Sequence, residues 1–274
     1  MVLTLTAPAA RPPQITLLHG LPRSGTSLLG MLLAGHPKIA YRYQPLVSYA
    51  LRDRLHEFLG WEGLGRLHDE LRHCSDPFIN QSRGEDEGTH IRSFTVARPS
   101  TMLIKQVRFH NHLLDWMRHP YAALIMINRK PEDLIISQLR AYGELGQFGP
   151  GEDVWKTAEA KNGGDENSFY GYARIADYLA IQAELSKRYK SRLCVVDYED
   201  LVAEPLQTLE RILAFLQMAP SGQIRQLVAY LFAESGGQGD YDKLRRISAR
   251  TKKDTPETKQ IRAQIRDAEK RRAS

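Results

Sequence analysis

Gln14 to Ala34 reads QITLLHGLPRSGTSLLGMLLA. Ile15, Leu17 and Leu18 make a short apolar strand, and Leu28 to Leu33 supply an apolar helical stripe. Between them Gly20 and Gly25 bound a loop with the GxxxxG spacing of a P-loop. A strand that turns through such a loop into a helix aims backbone N–H groups and the helix N-terminus at one point, which suits an anion. An ATP- or GTP-binding loop carries Lys directly after its second Gly. Here that position is Thr26, and the only cation in the loop is Arg23. The loop is therefore shaped for phosphate but lacks the lysine that reaches a β/γ-phosphate, which points to a nucleotide with a different reactive end.

Three further apolar runs, Met102 to Val107, Ala122 to Asn128 and Arg192 to Asp197, read with Ile15 to His19 as buried parallel strands. Helical patterns separate them at Thr26 to Ala34, Pro45 to Phe58, Glu62 to His73, Pro131 to Tyr142, Ser168 to Tyr189, Pro205 to Gln217 and Ser221 to Glu234. The alternation predicts an α/β chain of three layers, a P-loop NTPase-like fold with a central parallel sheet flanked by helices. Ligands of such sheets bind beyond the carboxyl ends of the strands, where the first loop, Gln106 to His110, Arg129 and Tyr198 fall. Asp76 to His90 and Gly143 to Asn167 read as irregular, mobile connections and as candidates for a lid or acceptor site.

With 274 residues, 42% of them hydrophobic, the chain can bury one full core. The expected organisation is a flexible N-terminus over 1–13, an α/β domain over 14–255 and a basic C-terminal helix or tail over 256–274. The net charge of +6 is uneven: residues 241–274 carry +7 and the rest −1. Alternating charges over Glu257 to Arg272 resemble an exposed helix. Cys74 and Cys194 are far apart and read as reduced thiols, Cys194 buried, which suggests a cytoplasmic setting. No leader-like N-terminus and no run of about 18 apolar residues is found, so a soluble, unprocessed protein is expected.

Two more stretches bear on chemistry. IMINRKPEDLIISQLR, Ile125 to Arg140, ends a strand at Asn128, places Arg129 directly after it, opens a helix with Pro131 and carries Ser137 two turns inside. A guanidinium and a helix-borne hydroxyl together suit a phosphate, although each alone reads as a local structural group. VVDYEDLVAEPLQTLERILAFL, Val195 to Leu216, sets Tyr198 just past a strand end. Its Glu199 and Asp200 suit a turn and helix start. Asp197, ending an apolar strand, keeps a magnesium-dependent kinase or NTPase open as an alternative.

LPRSGTSLL followed by GHP at Gly35 to Pro37 resembles the 5′-phosphosulfate loop of sulfotransferases that use 3′-phosphoadenosine 5′-phosphosulfate, PAPS. The other two stretches agree with that resemblance, which covers most of Gln14 to Gln217. It implies transfer of a sulfuryl group from PAPS to a hydroxyl or amine, leaving 3′-phosphoadenosine 5′-phosphate (PAP), with no metal required. By resemblance, Arg23, Ser24, Gly25, Thr26 and Ser27 hold the phosphosulfate, Arg129 and Ser137 the 3′-phosphate, and Tyr198 lies by the adenine. Arg23 and Lys105 act on the transferring group.

The proton acceptor is where this sequence departs from the family. Relatives acting on proteins and sugars often carry Glu shortly after the HP motif, where YRYQPL has Gln44 before Pro45; no carboxylate precedes Asp53. Relatives acting on small phenols use His two positions after the strand lysine, and here that residue is Val107. His110 is the nearest imidazole and the first candidate base. His112, Asp53 and Glu57 follow, as does the absence of any protein base. The family's C-terminal loop over the nucleotide corresponds to KLRRISARTKK, Lys243 to Lys253, with Arg245, Arg246 and Lys252 as candidates. The acceptor is expected to be a small molecule or glycan, and Tyr41, Tyr43, Tyr49, Phe58, Trp61, Phe148 and Trp155 suit an apolar or aromatic one. Nucleic acid is not the expected partner, although a non-catalytic nucleotide- or RNA-binding protein is the remaining alternative.

Overall fold

A computed structural model describes residues 14–81, 99–232 and 254–273. Five strands, β1 (Ile15–Gly20), β2 (Ile39–Tyr43), β3 (Thr101–Gln106), β4 (Ala122–Asn128) and β5 (Leu193–Asp197), form one sheet in the order β2-β3-β1-β4-β5. Every pairing is parallel. The central strand β1 faces β3 and β4 with Leu18 opposite Lys105 and Ile125, and all six of its residues are buried. Successive residues feed opposite faces. Ile15 and Leu17 join one apolar cluster, whereas Leu18 joins a second with Ile125, Ile127 and Val196. The sheet is thus covered on both sides, which is why its inner strands read as largely apolar runs.

Helix α1 (Thr26–Ala34) follows the loop, and α2 (Gly60–Arg72) follows β2. Then come α3 (Pro131–Leu139), α4 (Ala173–Arg188), α5 (Tyr198–Ala203), α6 (Pro205–Phe215), α7 (Gly222–Phe232) and α8 (Pro256–Ala273). Helix α1 packs with α6 and α7 in the second cluster. The charged helix α8 buries Ile261 and Ile265 in the first. Its Arg262 bonds Asp133 in the first turn of α3 at 2.5 Å and Asp254 at 2.8 Å, and Tyr172 donates to its Glu269 at 2.5 Å. Among the described residues no helix is long and apolar enough to cross a membrane.

The structure corrects several sequence expectations. Strand β2, IAYRY, was not foreseen because it is an edge strand with three half-buried residues, so no apolar run marks it. Pro45 to Phe58 is not one helix. It holds 3-10 turns at Pro45–Val47 and Arg52–Phe58, because Ser48 is extended and its hydroxyl bonds the Pro45 carbonyl at 2.7 Å. Helix α4 begins at Ala173 rather than Ser168, since Gly171 just before it has φ +86°. Gly143 to Asn167 contains a 3-10 turn at Leu145–Phe148 and short helices at Glu152–Lys156 and Glu159–Asn162, anchored by buried Leu145, Trp155 and Ala158. Residues 82–90 of the other irregular stretch, the end of the predicted Ser221 to Glu234 helix, and Arg245, Arg246 and Lys252 lie outside the described residues.

Candidate functional site

The strand order reverses at β1, so the crevice beyond its carboxyl end is the one the topology opens. The Gly20 to Thr26 turn is built there. A Cβ on Gly20 would stand 2.4 Å from the Ser24 Oγ and 2.6 Å from Ile127, so the loop closes tightly over β4. Gly25 has φ +104°, and a Cβ there would meet the Tyr198 ring at 2.4 Å. Arg23 is also left-handed, at φ +73°, and its side chain is exposed. Two bonds tie the loop to α3 and a third ties it to Arg129 just before that helix. Arg23 Nε donates to Ser137 Oγ at 3.3 Å, Gln138 Nε2 to the Pro22 carbonyl at 3.0 Å and Arg129 to the Arg23 carbonyl at 2.9 Å.

Arg129 also lies over the buried Tyr198 ring, 4.4 Å from its centroid. One tyrosine therefore supports the guanidinium and fills the space beside Gly25. Glu199 accepts from the Lys130 backbone N–H at 3.2 Å and Asp200 offers its carbonyl to Thr208, so both hold the turn. His36 of the GHP triplet is likewise a brace: it bonds the Ala219 carbonyl at 3.0 Å and accepts from Lys38 N–H at 3.2 Å.

Lys105, next to last in β3, has 1% of its surface exposed, its ammonium 4.3 Å from the Tyr43 ring centroid. Burial pulls its pKa down to about 7; the Glu144 carboxylate supports its charge and Arg23 opposes it. Gln44 sits at the same strand end, where its N–H bonds the Lys105 carbonyl at 2.8 Å. The structure thus gathers Arg23, Ser24, Gly25, Thr26, Lys105, Arg129, Ser137 and Tyr198 around one crevice, with Ser27 exposed on the first turn of α1. Ser24 Oγ and Arg129 Nε are closed to solvent without a protein partner. Such groups cost about 1–3 kcal/mol each when left unpaired, so a polyanionic ligand that meets them fits this cradle.

The candidate bases sit in different surroundings. His110 is fully buried, with its ring edge-on to Phe169 and Tyr178 and its Nδ1 at 3.2 Å from His19 Nδ1. Burial pushes its pKa down to about 3, so the ring is neutral, and its Nε2 is closed to solvent without a partner. His112 Nε2 is bonded to Asn167 at 2.9 Å. Asp53 is exposed beside Arg52, and both Glu57 oxygens are taken by Arg54 at 2.8 and 2.9 Å. Of the aromatic residues expected to serve an acceptor, Phe58 and Trp155 are core, whereas Tyr49, Trp61 and Phe148 are exposed. Asp197 ends β5, separated from β1 by β4. At about 4.8 Å per strand step, β5 lies roughly 10 Å from β1. Sequence reasoning missed Glu144, Arg108, Tyr170 and His19. The only signal for Glu144 was its place in the glycine-rich connection YGELGQFG, Tyr142 to Gly149.

A family model described as "Sulfotransferase family" matches residues 16–221, about three quarters of the chain. The chain belongs to the sulfotransferase family. It is 27% identical over 226 residues to Nodulation protein NoeE of Sinorhizobium fredii (strain NBRC 101917 / NGR234), an alignment covering 77% of this chain and 51% of that protein, so this sulfotransferase-family chain spans about half the length of that curated relative. Among solved structures, it is similar to a sulfotransferase from Alicyclobacillus acidocaldarius (17% identity, 90% of this chain and 98% of the other, TM-score 0.49). It is similar also to the sulfotransferase domain of the Synechococcus PCC 7002 olefin synthase (19% identity, 94% and 96%, TM-score 0.47). A mouse sulfotransferase complexed with PAP matches at 15% identity over 79% of this chain and 64% of that one, with a TM-score of 0.49.

Proposed function

We propose that this sulfotransferase-family protein moves a sulfuryl group from PAPS to a hydroxyl or amine of a small molecule or glycan. The observation that carries this is the set of cations around a lysine-free cradle: Arg23 in the loop, Lys105 beneath it and Arg129 tied to the loop backbone. PAPS, when bound, supplies an activated sulfuryl group on a phosphate leaving group. The loop N–H groups from Arg23 to Ser27 would hold the phosphosulfate, and Arg129 with Ser137 the 3′-phosphate. Arg23 and Lys105 would stabilise charge growing on the leaving phosphate and the sulfonyl oxygens. Tyr198 would shape the site from beneath by fixing Arg129.

Isothermal titration with PAP, against ATP with magnesium, tests this. Wild type is expected to prefer PAP, and Arg129→Ala to weaken it by about 10²-fold, the usual effect of removing one partner of a desolvated charge pair. Preference for magnesium ATP would return attention to a kinase or NTPase.

Affinity should also depend on pH. Lys105 has a pKa of about 7 in the free protein, and an adjacent phosphate raises it, so binding takes up a proton above pH 7. PAP affinity is therefore expected to fall as pH rises from 7 to 9, by up to about tenfold per unit. Titration at pH 8 in buffers of different ionisation heat should report uptake approaching one proton, and Lys105→Ala should abolish it. A wild-type affinity flat from pH 6 to 9 would show that Lys105 does not face the ligand.

A further inference from the structure

We propose that Glu144 is the proton acceptor for the transfer, a catalytic base delivered by the connection after α3. The inference rests on the sulfotransferase reading and deepens it. Transfer to an O–H or N–H acceptor releases a proton, and Gln44, at the strand end beside Lys105, cannot take it. A hundred residues downstream of Gln44, Glu144 returns a carboxylate to the same lysine.

Its setting is built. The Glu144 and Gly146 N–H groups both bond the Ala141 carbonyl, at 2.9 and 3.1 Å, and the Gly143 carbonyl accepts from Lys161 at 2.9 Å. A Cβ on Gly146 would lie 2.7 Å from the Leu139 carbonyl oxygen, so the turn is drawn tight against the end of α3. The next residue, Leu145, is fully buried in a small cluster with Ala158 and Tyr170. The Tyr170 hydroxyl faces both Glu144 and Arg108: burial first and Glu144 next raise its pKa, and Arg108 lowers it. Glu144 thus carries its charge beside Tyr170 and within electrostatic reach of Lys105.

One carboxylate oxygen, Oε2, is closed to solvent and has no hydrogen-bond partner. An unpaired buried carboxylate oxygen is costly, and an acceptor hydroxyl would satisfy it. Near Lys105 it also lies close to where the sulfuryl group must sit if Lys105 contacts that group. In the step, the acceptor oxygen bonds to sulfur while its proton passes to Glu144 Oε2. The bond from sulfur to the bridging oxygen breaks, its electron pair leaving on the 5′-phosphate, and Glu144 later returns the proton to solvent. A base so placed typically contributes 10²- to 10⁴-fold in rate.

The test compares wild type, Glu144→Gln and Glu144→Asp in two measurements. The first is PAP affinity from pH 6 to 9; the second is discharge of PAPS to PAP and sulfate, with water as the acceptor. Glu144→Gln is expected to bind PAP within about threefold of wild type at pH 6. Its affinity should fall off at lower pH than in wild type, because Lys105 has lost its supporting carboxylate. Its PAPS discharge should drop by about 10²-fold or more, and Glu144→Asp should recover part of the rate. Equal discharge by wild type and Glu144→Gln overturns the proposal. So does a Glu144→Gln loss of PAP affinity at pH 6 as large as its loss of rate, which would make Glu144 a ligand-holding residue. Wild type that binds PAP but discharges PAPS no faster than buffer overturns the base while leaving the sulfotransferase reading intact. Wild type that does not bind PAP removes that reading, and the proposal with it.

Discussion

Lys105→Met is expected to stabilise the free protein while nearly abolishing turnover. The lysine is 1% exposed, and burial takes its pKa from 10.5 to about 7. Below pH 7 it is charged in both folded and unfolded chains, and the folded chain carries the whole burial penalty. Between pH 7 and 10.5 the unfolded chain still binds the proton that the folded one has shed, so wild-type stability rises with pH across that window. Above it the difference is gone. The shift corresponds to roughly 5 kcal/mol at one pKa unit per 1.36 kcal/mol. Loss of the ammonium over the Tyr43 ring offsets about 1–2 kcal/mol of this. A gain on the order of 3 kcal/mol at pH 6 follows, or about 6–10 °C in Tm for a chain of this size. Thermal unfolding at pH 6 and pH 10 checks it: the gain should be large at the first and small at the second. A methionine variant no more stable than wild type at pH 6 would mean that Lys105 is not buried in the free protein. Loss of a preorganised cation should at the same time lower PAPS turnover by about 10²- to 10³-fold. Stability given up for a charged site is a familiar trade in enzymes.

Gly25→Val should act in the opposite sense on the fold and in the same sense on the site. A side chain at φ +104° is strained whatever the space, and here the Cβ would also collide with Tyr198 at 2.4 and 2.9 Å. Strain of about 1–3 kcal/mol plus displacement of the ring predicts a loss of about 2–4 kcal/mol in urea unfolding. Because Tyr198 supports Arg129, PAP affinity should fall by more than about 10²-fold. Gly60→Ala is the control. Its φ is +71° with nothing within 4 Å, so it should show backbone strain alone and unchanged PAP binding. Adding Tyr198→Ala to Gly25→Ala should recover the steric part of the lost stability but not the binding. If Gly25→Val retains PAP affinity, the loop does not carry the nucleotide.

Much of this arrangement was legible in the sequence, for a physical reason. Buried parallel strands must be apolar along their whole length, so β1, β3, β4 and β5 stood out within a residue or two of their ends. Strand β2 did not, because an edge strand tolerates Arg42, whose guanidinium bonds the Leu71 and Tyr41 carbonyls. The loop and Arg129 were readable because strand, glycines and helix start are contiguous in sequence. Glu144 was not, since its nearness to Lys105 is created by folding and a lone Glu between glycines has no local signature. His110 shows the converse: its place near the strand end was legible, whereas the packing of its ring beside His19, Phe169 and Tyr178 was not.

The sheet order has a consequence for how the protein is made. Strand β1 leaves the ribosome well before both of its neighbours, β3 and β4, which come from residues 101–128. Residues 14–34 are therefore synthesised long before anything can hold them in shape, and they carry a bare apolar strand and helix for that interval. The nucleotide affinity proposed above would arise only after Arg129 and α3 have emerged, and long-range parallel pairing is a slow kind of assembly. The loop is thus translated about a hundred residues before the segments that complete the cradle, so any anion it holds would report that residues 14–139 have come together.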